Sequence, residues 1–228
     1  MNKYLKGLAN GIPIGLGYFS VSFGFGIMAA KAGLTVFEAA MISLTNLTSA
    51  GQAAGVDVIT SGGSLIEMAL VQLVINIRYS LMAISLSQKA DDSFTLPHRL
   101  IASHGITDEI FAVSYAQPDK LKPAYMYGCM TVAVAGWVGG TVLGAAMGEI
   151  LPARVTAALG IMLYGMFAAI IVPPSKKKRD VLFTVVSAAV LNIFIRMIPF
   201  ISSSLSVIIS AVISASAAAL IFRDGEKE

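Results

Sequence analysis

Residues 7–30 read GLANGIPIGLGYFSVSFGFGIMAA and carry no charged side chain over 24 positions. A helix needs about 20 apolar residues to cross the hydrocarbon core of a bilayer, so this stretch is long enough to span a membrane. It is too long for the core of an ordinary cleavable signal, and no small-residue cleavage site leads from it into a soluble region. The stretch therefore predicts a membrane-spanning helix.

The rest of the chain has the same character. Of its 228 residues 56% are hydrophobic and only 13% are charged, whereas a soluble domain is usually about 25% charged. Cys129 is the only cysteine, which excludes a disulfide scaffold, and the apolar content excludes a disordered protein. No basic stripe interleaved with aromatic residues is present, so nucleic-acid binding is not expected. The composition predicts an all-α polytopic membrane protein.

About seven hydrophobic segments can be delimited by the charges between them. They are apolar all round and longer than the alternating stretches of a membrane β-barrel, which favours helices. The segments are Gly7–Ala30, Ala39–Val56, Met68–Gln88, Pro123–Gly148, Val155–Ser175, Val181–Ile195 and Met197–Phe222.

The distribution of Lys and Arg predicts the orientation, because cytoplasmic loops of membrane proteins are enriched in them. If all seven segments cross, Lys31, the loop 89–122, the run 176–179 and the C-terminal tail carry eleven basic residues on one side, against three on the other. This predicts a protein of the cytoplasmic (inner) membrane whose C-terminus faces the cytoplasm and whose N-terminus lies outside. If the second segment only dips in and returns, the N-terminus moves to the cytoplasmic side with Lys3 and Lys6, and the C-terminus keeps its place.

An internal repeat is indicated by three pairs of similar stretches. Gly24 and Gly144 are 120 residues apart. Ala39, in the stretch 33–40, and Ala157, in the stretch 150–158, are 118 apart. Asn76 and Asn192, which precede Arg78 and Arg196, are 116 apart. Two copies of a three-span unit would be inverted relative to each other, as in many secondary transporters. The interpretation is one transmembrane domain, divided as follows: first repeat 7–88, polar interfacial loop 89–122, second repeat 123–200 and terminal helix 201–222.

Arg78 lies deep in the third segment, two residues after Asn76. A charge at this depth costs at least about 2.5 kcal/mol to insert, so it needs a partner or a function. Its planar guanidinium is suited to a carboxylate. We interpret Arg78 and Asn76 as substrate-binding residues; a structural ion pair is the alternative.

The second segment is too polar for an ordinary spanning helix. Asn46, Gly51 and Gln52 lie within a run of polar and glycine residues. Glycines allow close helix packing, but the amides are better explained by an unwound stretch that meets a ligand. We include all three residues, with Asn192 of the sixth segment, among the candidate substrate-binding residues.

Further polar residues are candidates for coupling or gating. His104, Asp108 and Glu109 lie in the loop 89–122, where the two acids could instead simply begin a short helix. Arg196 ends the sixth segment, a position that snorkelling also explains. Metal ligands are too few for a metal site, and no hydrolase elbow, zincin motif or P-loop occurs. We therefore expect neither an enzyme nor a cofactor.

Five short stretches together resemble the AzlC family over nearly the whole chain. They are Gly11–Tyr18, Phe23–Gly26, Ala50–Ala53, Asn76–Tyr79 and His104–Ala112. The most specific are Asn-x-Arg and His-Gly-x-Thr-Asp-Glu-x-Phe-Ala. Two departures are the polar residues that precede Ala50 and the Tyr79 that stands where a histidine is common.

The resemblance implies a large subunit of a branched-chain amino acid exporter. It also implies a small AzlD-like membrane partner, and an ion gradient rather than ATP as the source of energy. A channel-like pore and a non-transporting assembly subunit remain as alternatives. A channel would give fluxes that do not saturate, whereas an assembly subunit would not be stabilised by a substrate.

Overall fold

The structure is a computed structural model that describes residues 2–148, 168, 171–201 and 203–222. Its helices are α1 Lys3–Lys31, α2 Val36–Thr45, α3 Ala50–Thr60, α4 Leu65–Lys89, α5 Leu96–His104, α6 Asp108–Tyr115, α7 Pro123–Met147, α8 Arg179–Ile195 and α9 Ser203–Ile221. Residues 171–177 are also helical, and no strand occurs in the described ranges. Most of the fifth hydrophobic segment and of the stretch proposed to repeat residues 33–40 lies outside the described residues.

The prediction of an all-helical polytopic membrane protein is confirmed. Within the described ranges, three helices, α1, α4 and α7, are long and apolar enough to cross a membrane. The described residues fall into two compact units, one drawn from Met1–Val56 and Ile75–Leu163 and the other from Asp57–Val74 and Tyr164–Glu228. In the second unit α8 and α9 are antiparallel, since Asn192 bonds Ser206 at one end and Phe183 meets Phe222 at the other.

The first unit is built around α1 and α7, which pack through glycines. Residue numbers rise together along both helices, so the two helices are parallel. The neighbouring pairs are Gly7 with Gly128, Gly11 with Cys129, Gly15 with Gly136 and Phe23 with Gly144. A Cβ at Gly136 would collide with the backbone of Gly15, which cannot move aside. Small residues are what permits this backbone approach.

The second hydrophobic segment forms a hairpin of two short helices and not one continuous helix. Helix α2 ends at Thr45 and α3 begins at Ala50. Gln52 of α3 bonds Ser43 of α2, and Val56 shares a buried cluster with Ala39. Helix α3 therefore returns beside α2, and the turn between them is the tip of the hairpin. This arrangement favours the re-entrant alternative for the segment.

The parallel packing of α1 and α7 agrees with that topology. Two parallel spans begin on the same side of the membrane, so the chain makes an even number of crossings between the start of α1 and the start of α7. Helices α1 and α4 supply two crossings, and the hairpin supplies none. Lys3 Nζ also lies 2.9 Å from Asp119 Oδ2, which joins the N-terminus to the segment before α7. An inverted repeat would make α1 and α7 antiparallel. The structure differs because the re-entrant hairpin leaves two crossings, not three, before α7 begins.

A second helical hairpin is formed by α5 and α6, within the predicted interfacial loop. His98 Nδ1 lies 2.7 Å from the hydroxyl of Tyr127, near the start of α7. At the turn between the helices, Thr107 bonds Tyr18, which is 15 residues, or about 22 Å, along α1 from Lys3. The tip of this hairpin therefore reaches the middle of α1.

We predict that Gly136→Ala lowers the free energy of unfolding by about 1–3 kcal/mol, because the new methyl group overpacks the helix contact. Gly139→Ala is the matched control on the same helix, since a Cβ there meets only the Phe19 ring at 3.9 Å. That control should be neutral or stabilising by up to about 1 kcal/mol. Unfolding of the purified protein in detergent measures both effects, and equal stabilities would refute the close α1–α7 contact.

We also predict that the N-terminus and the loop 89–122 are cytoplasmic. In intact cells, a membrane-impermeant maleimide should label Lys31→Cys, at the opposite end of α1, but neither Asn2→Cys nor Asp92→Cys until the membrane is permeabilised. The parent chain is the control, since its Cys129 is buried. Labelling of Asn2→Cys in intact cells would place the N-terminus outside.

Candidate functional site

The tip of the α2–α3 hairpin is shaped by side chains that compete with the helical backbone. Asn46 leaves the helix with extended backbone angles, and Thr48 donates to its Oδ1 at 2.5 Å. Ser49 adopts a positive φ of 53°, which is uncommon for a residue other than glycine. Such local bonds offer the chain an alternative to helix. The prediction that this stretch is unwound is confirmed.

Gln52 is the anchor of this tip and is 1% exposed. Its Oε1 accepts from Trp137 Nε1 at 2.8 Å, and its Nε2 donates to Ser43 Oγ at 2.9 Å. Ser43 lies 2.7 Å from the hydroxyl of Thr141, which in turn donates to the Trp137 carbonyl. The amide thus joins both arms of the hairpin to the middle of α7.

Tyr18 links this cluster to the second hairpin. Its ring meets Trp137 edge to face, with the centroids 5.2 Å apart. Its hydroxyl lies 2.7 Å from Thr107 Oγ1 and 2.5 Å from Glu109 Oε2. Polar contacts therefore run from the tip of one hairpin to the tip of the other through a single aromatic pair.

Arg78 is held at the same second tip. Its Nη1 lies 2.5 Å from Asp108 Oδ2, and its guanidinium lies over the Tyr79 ring, 4.9 Å from the centroid. The two charged side chains are 40% and 39% exposed, so the pair is formed but remains accessible. Arg78 is 11 residues, or about 16 Å, from the end of α4 at Lys89. The pair therefore lies at depth.

Helix α6 explains why two acids are found there. It begins at Asp108, with Thr107 as the N-cap whose hydroxyl accepts from Ile110 N. Acidic residues are favoured in the first turn of a helix, where the dipole is positive. The prediction that Asp108 and Glu109 begin a short helix is confirmed. In the fold each acid also meets a second helix, Asp108 at Arg78 and Glu109 at Tyr18.

The remaining sequence-predicted residues are distributed more widely. Asn76 lies on α4 with its Oδ1 buried, Gly51 is buried in the first turn of α3, and His104 is exposed at the end of α5. Asn192 bonds Ser206 within the second compact unit. Arg196 caps the end of α8 in the same unit.

The sequence reasoning missed four residues of the site. Their common feature is a hydrogen-bonding group on a residue that also fits an apolar helix, so nothing marks them singly. They are Tyr18, Ser43, Trp137 and Thr141. The only tryptophan of the chain was the available signal, since a buried indole N–H usually has a partner.

Within the loop 89–122, two carboxyl groups have a lowered pKa. The hydrogen bond and charge of Lys3 hold the pKa of Asp119 below its usual value. Hydrogen bonds from Ser93, with the charge of Lys122, lower the pKa of Asp91. Both acids therefore remain ionised near neutral pH, and they balance part of the basic charge of the N-terminus and the loop 89–122.

Comparisons with known proteins agree with the family resemblance. The family model described as AzlC protein matches residues 13–151. An uncharacterized membrane protein of Archaeoglobus fulgidus is 31% identical over 77% of this chain and 78% of its own length. The inner membrane protein YgaZ of Escherichia coli is 28% identical over 79% of this chain and 77% of its own length. No solved structure matches the chain.

We predict that Gln52→Leu destabilises the protein by about 2 kcal/mol, because the Trp137 N–H loses its buried acceptor. The emission of this single tryptophan should move to shorter wavelength. Gln88→Leu, at an exposed position near the end of α4, is the matched control and should change neither property. Unchanged emission in Gln52→Leu would contradict the bond.

Proposed function

The protein belongs to the AzlC family, and we propose that it is a secondary-active permease subunit that exports branched-chain or related amino acids from the cytoplasm. It is a membrane protein, as its relatives and its long apolar helices agree. The observation that carries the proposal is the Arg78–Asp108 pair at the tip of a hairpin that reaches the middle of α1.

Broken helices at depth favour transport over a purely structural role. Backbone groups freed from a helix inside a bilayer are tolerated only where protein buries them or where they line a cavity. Transporters use such interruptions to bind substrates near the midplane. Here two interruptions, 46–49 and 105–107, are joined through Tyr18 and Trp137. Together they provide donors, acceptors and an apolar surrounding in one place.

The charge pair suggests how an amino acid would be held. In the free protein Asp108 neutralises Arg78 at depth. The carboxylate of an amino acid can take the place of Asp108 on the guanidinium fork, and its ammonium can pair with the released Asp108. The exchange adds no net charge, so a zwitterion avoids the desolvation penalty of an isolated ion. Gln52, Asn76 and Asn46 are proposed as hydrogen-bonding neighbours, with Gly51 at the tip.

Coupling and assembly are part of the proposal. Glu109 and Asp108 are proposed to transmit the ion gradient, because both connect the second hairpin to a spanning helix; His104 is placed near them by sequence. Helix α4 exposes a row of apolar side chains that includes Leu73, Ile77 and Leu81. That row supports contact with lipid and with a small AzlD-like subunit. No chemical step on the substrate and no cofactor are proposed.

Leucine counterflow in proteoliposomes tests the function, with the chain alone and with its small partner. Saturable counterflow only in the presence of the partner would support a two-subunit carrier. Flux without saturation or counterflow would favour a channel. No flux of leucine or of other amino acids would refute the export proposal.

Arg78→Gln should reduce counterflow by about a hundredfold, because a charge-assisted, two-point contact with the carboxylate is lost. Arg78→Lys should keep part of the activity, since it keeps the charge but not the fork. Arg179→Gln, the same change at the exposed first residue of α8, should leave counterflow unchanged. Full activity of a correctly inserted Arg78→Gln protein would refute the assignment.

A further inference from the structure

A separate cavity of about 350 Å³ lies beside the second half of α4, on the side of the molecule that carries the loop 89–122. Helix α5 and the start of α7 close its other walls. Most of its lining is apolar and includes Leu86, Phe94, Ile106, Leu121 and Met126. Its size is at the lower end of the range for small-molecule sites.

Of the described residues that line the cavity, Arg99 alone is charged. Its Nε donates to the Phe94 carbonyl at 3.0 Å, which fixes the guanidinium at the wall and leaves its terminal nitrogens for another partner. In the part of the chain that the structure describes, no carboxylate pairs with Arg99. This differs from Arg78, whose charge is already balanced by Asp108.

The two serine hydroxyl groups in the wall already donate to backbone carbonyls, and neither carries a charge that could balance a cation. Ser87 donates to the Ile84 carbonyl at 2.7 Å, and Ser103 donates to the Leu100 carbonyl at 2.7 Å. Among the residues that the structure describes, none that lines the cavity is acidic. A zwitterion would therefore place its ammonium group where no carboxylate can pair with it. A carboxylate with only an aliphatic tail fits both the charge and the apolar wall.

We infer that this cavity is a second ligand site, distinct from Arg78, that binds a short aliphatic monocarboxylate. Arg99 holds the carboxylate, and the apolar walls formed by Leu86, Phe94 and Met126 enclose the branched or straight tail. The volume of about 350 Å³ fits a short tail and is small for a whole lipid acyl chain. The inference stands on the cavity and Arg99 alone and does not depend on transport by the protein.

Calorimetric titration of the purified full chain in a nonionic detergent tests the site. Isocaproate should bind, whereas isopentylamine, which has the same kind of tail and the opposite charge, should not bind. Leucine should bind at least about tenfold more weakly than isocaproate in an Arg78→Gln protein, where the first site is removed. Equal binding of the amine, or binding of palmitate alone, would overturn the inference.

The assignment to Arg99 is tested by substitution. Arg99→Gln should weaken isocaproate binding by about tenfold or more, and Arg179→Gln should leave it unchanged. Ala83→Phe, which fills the cavity from α4, should abolish binding while Arg99 is retained. The melting midpoint of each variant shows that it is folded. Unchanged binding in folded Arg99→Gln, or in folded Ala83→Phe, would refute the site.

Discussion

The close contact between α1 and α7 is the constraint on which the first unit depends. Glycines bring the two backbones together in parallel, and a side chain at Gly136 would meet the backbone of Gly15. If α1, α4 and α7 each cross the membrane, their parallel packing requires the segment between α1 and α4 to turn back, as the α2–α3 hairpin does. The same contact sets Tyr18 of α1 beside Trp137 of α7. The fold and the candidate site therefore follow from one helix pair.

Turning back inside a membrane exposes backbone groups that need partners, and the polar side chains at both tips are a consequence. Ser43 and Gln52 tie the two arms of the first hairpin together, while Thr107 caps α6 in the second. Buried polar networks stabilise a structure only when their members are satisfied. The Tyr18–Trp137 pair completes both networks. It also connects the two tips through contacts of one helix pair.

The sequence predicted those features that depend on neighbouring residues. Long apolar stretches with at most one charge located α1, α4 and α7, and Asn46 with the polar residues after it marked the break. The sequence could not decide whether the second segment crosses the membrane or turns back. The charges near the C-terminus place that end in the cytoplasm under either topology. Nor could it pair Arg78 with Asp108 or Trp137 with Gln52. Those contacts join residues 30 and 85 positions apart, and only tertiary packing brings them together.

The two arginines show how depth determines the use of a charge. Arg78 lies about 16 Å from the end of its helix, where an isolated cation would be costly, and Asp108 balances it. Any ligand there has to replace that acid and supply a cation of its own. Arg99 is exposed and beside a loop, so water can solvate it without a counter-ion. Its cavity can therefore accept a plain anion. The two guanidinium groups have the same chemistry and differ in their surroundings, because Asp108 balances Arg78 whereas no described carboxylate pairs with Arg99.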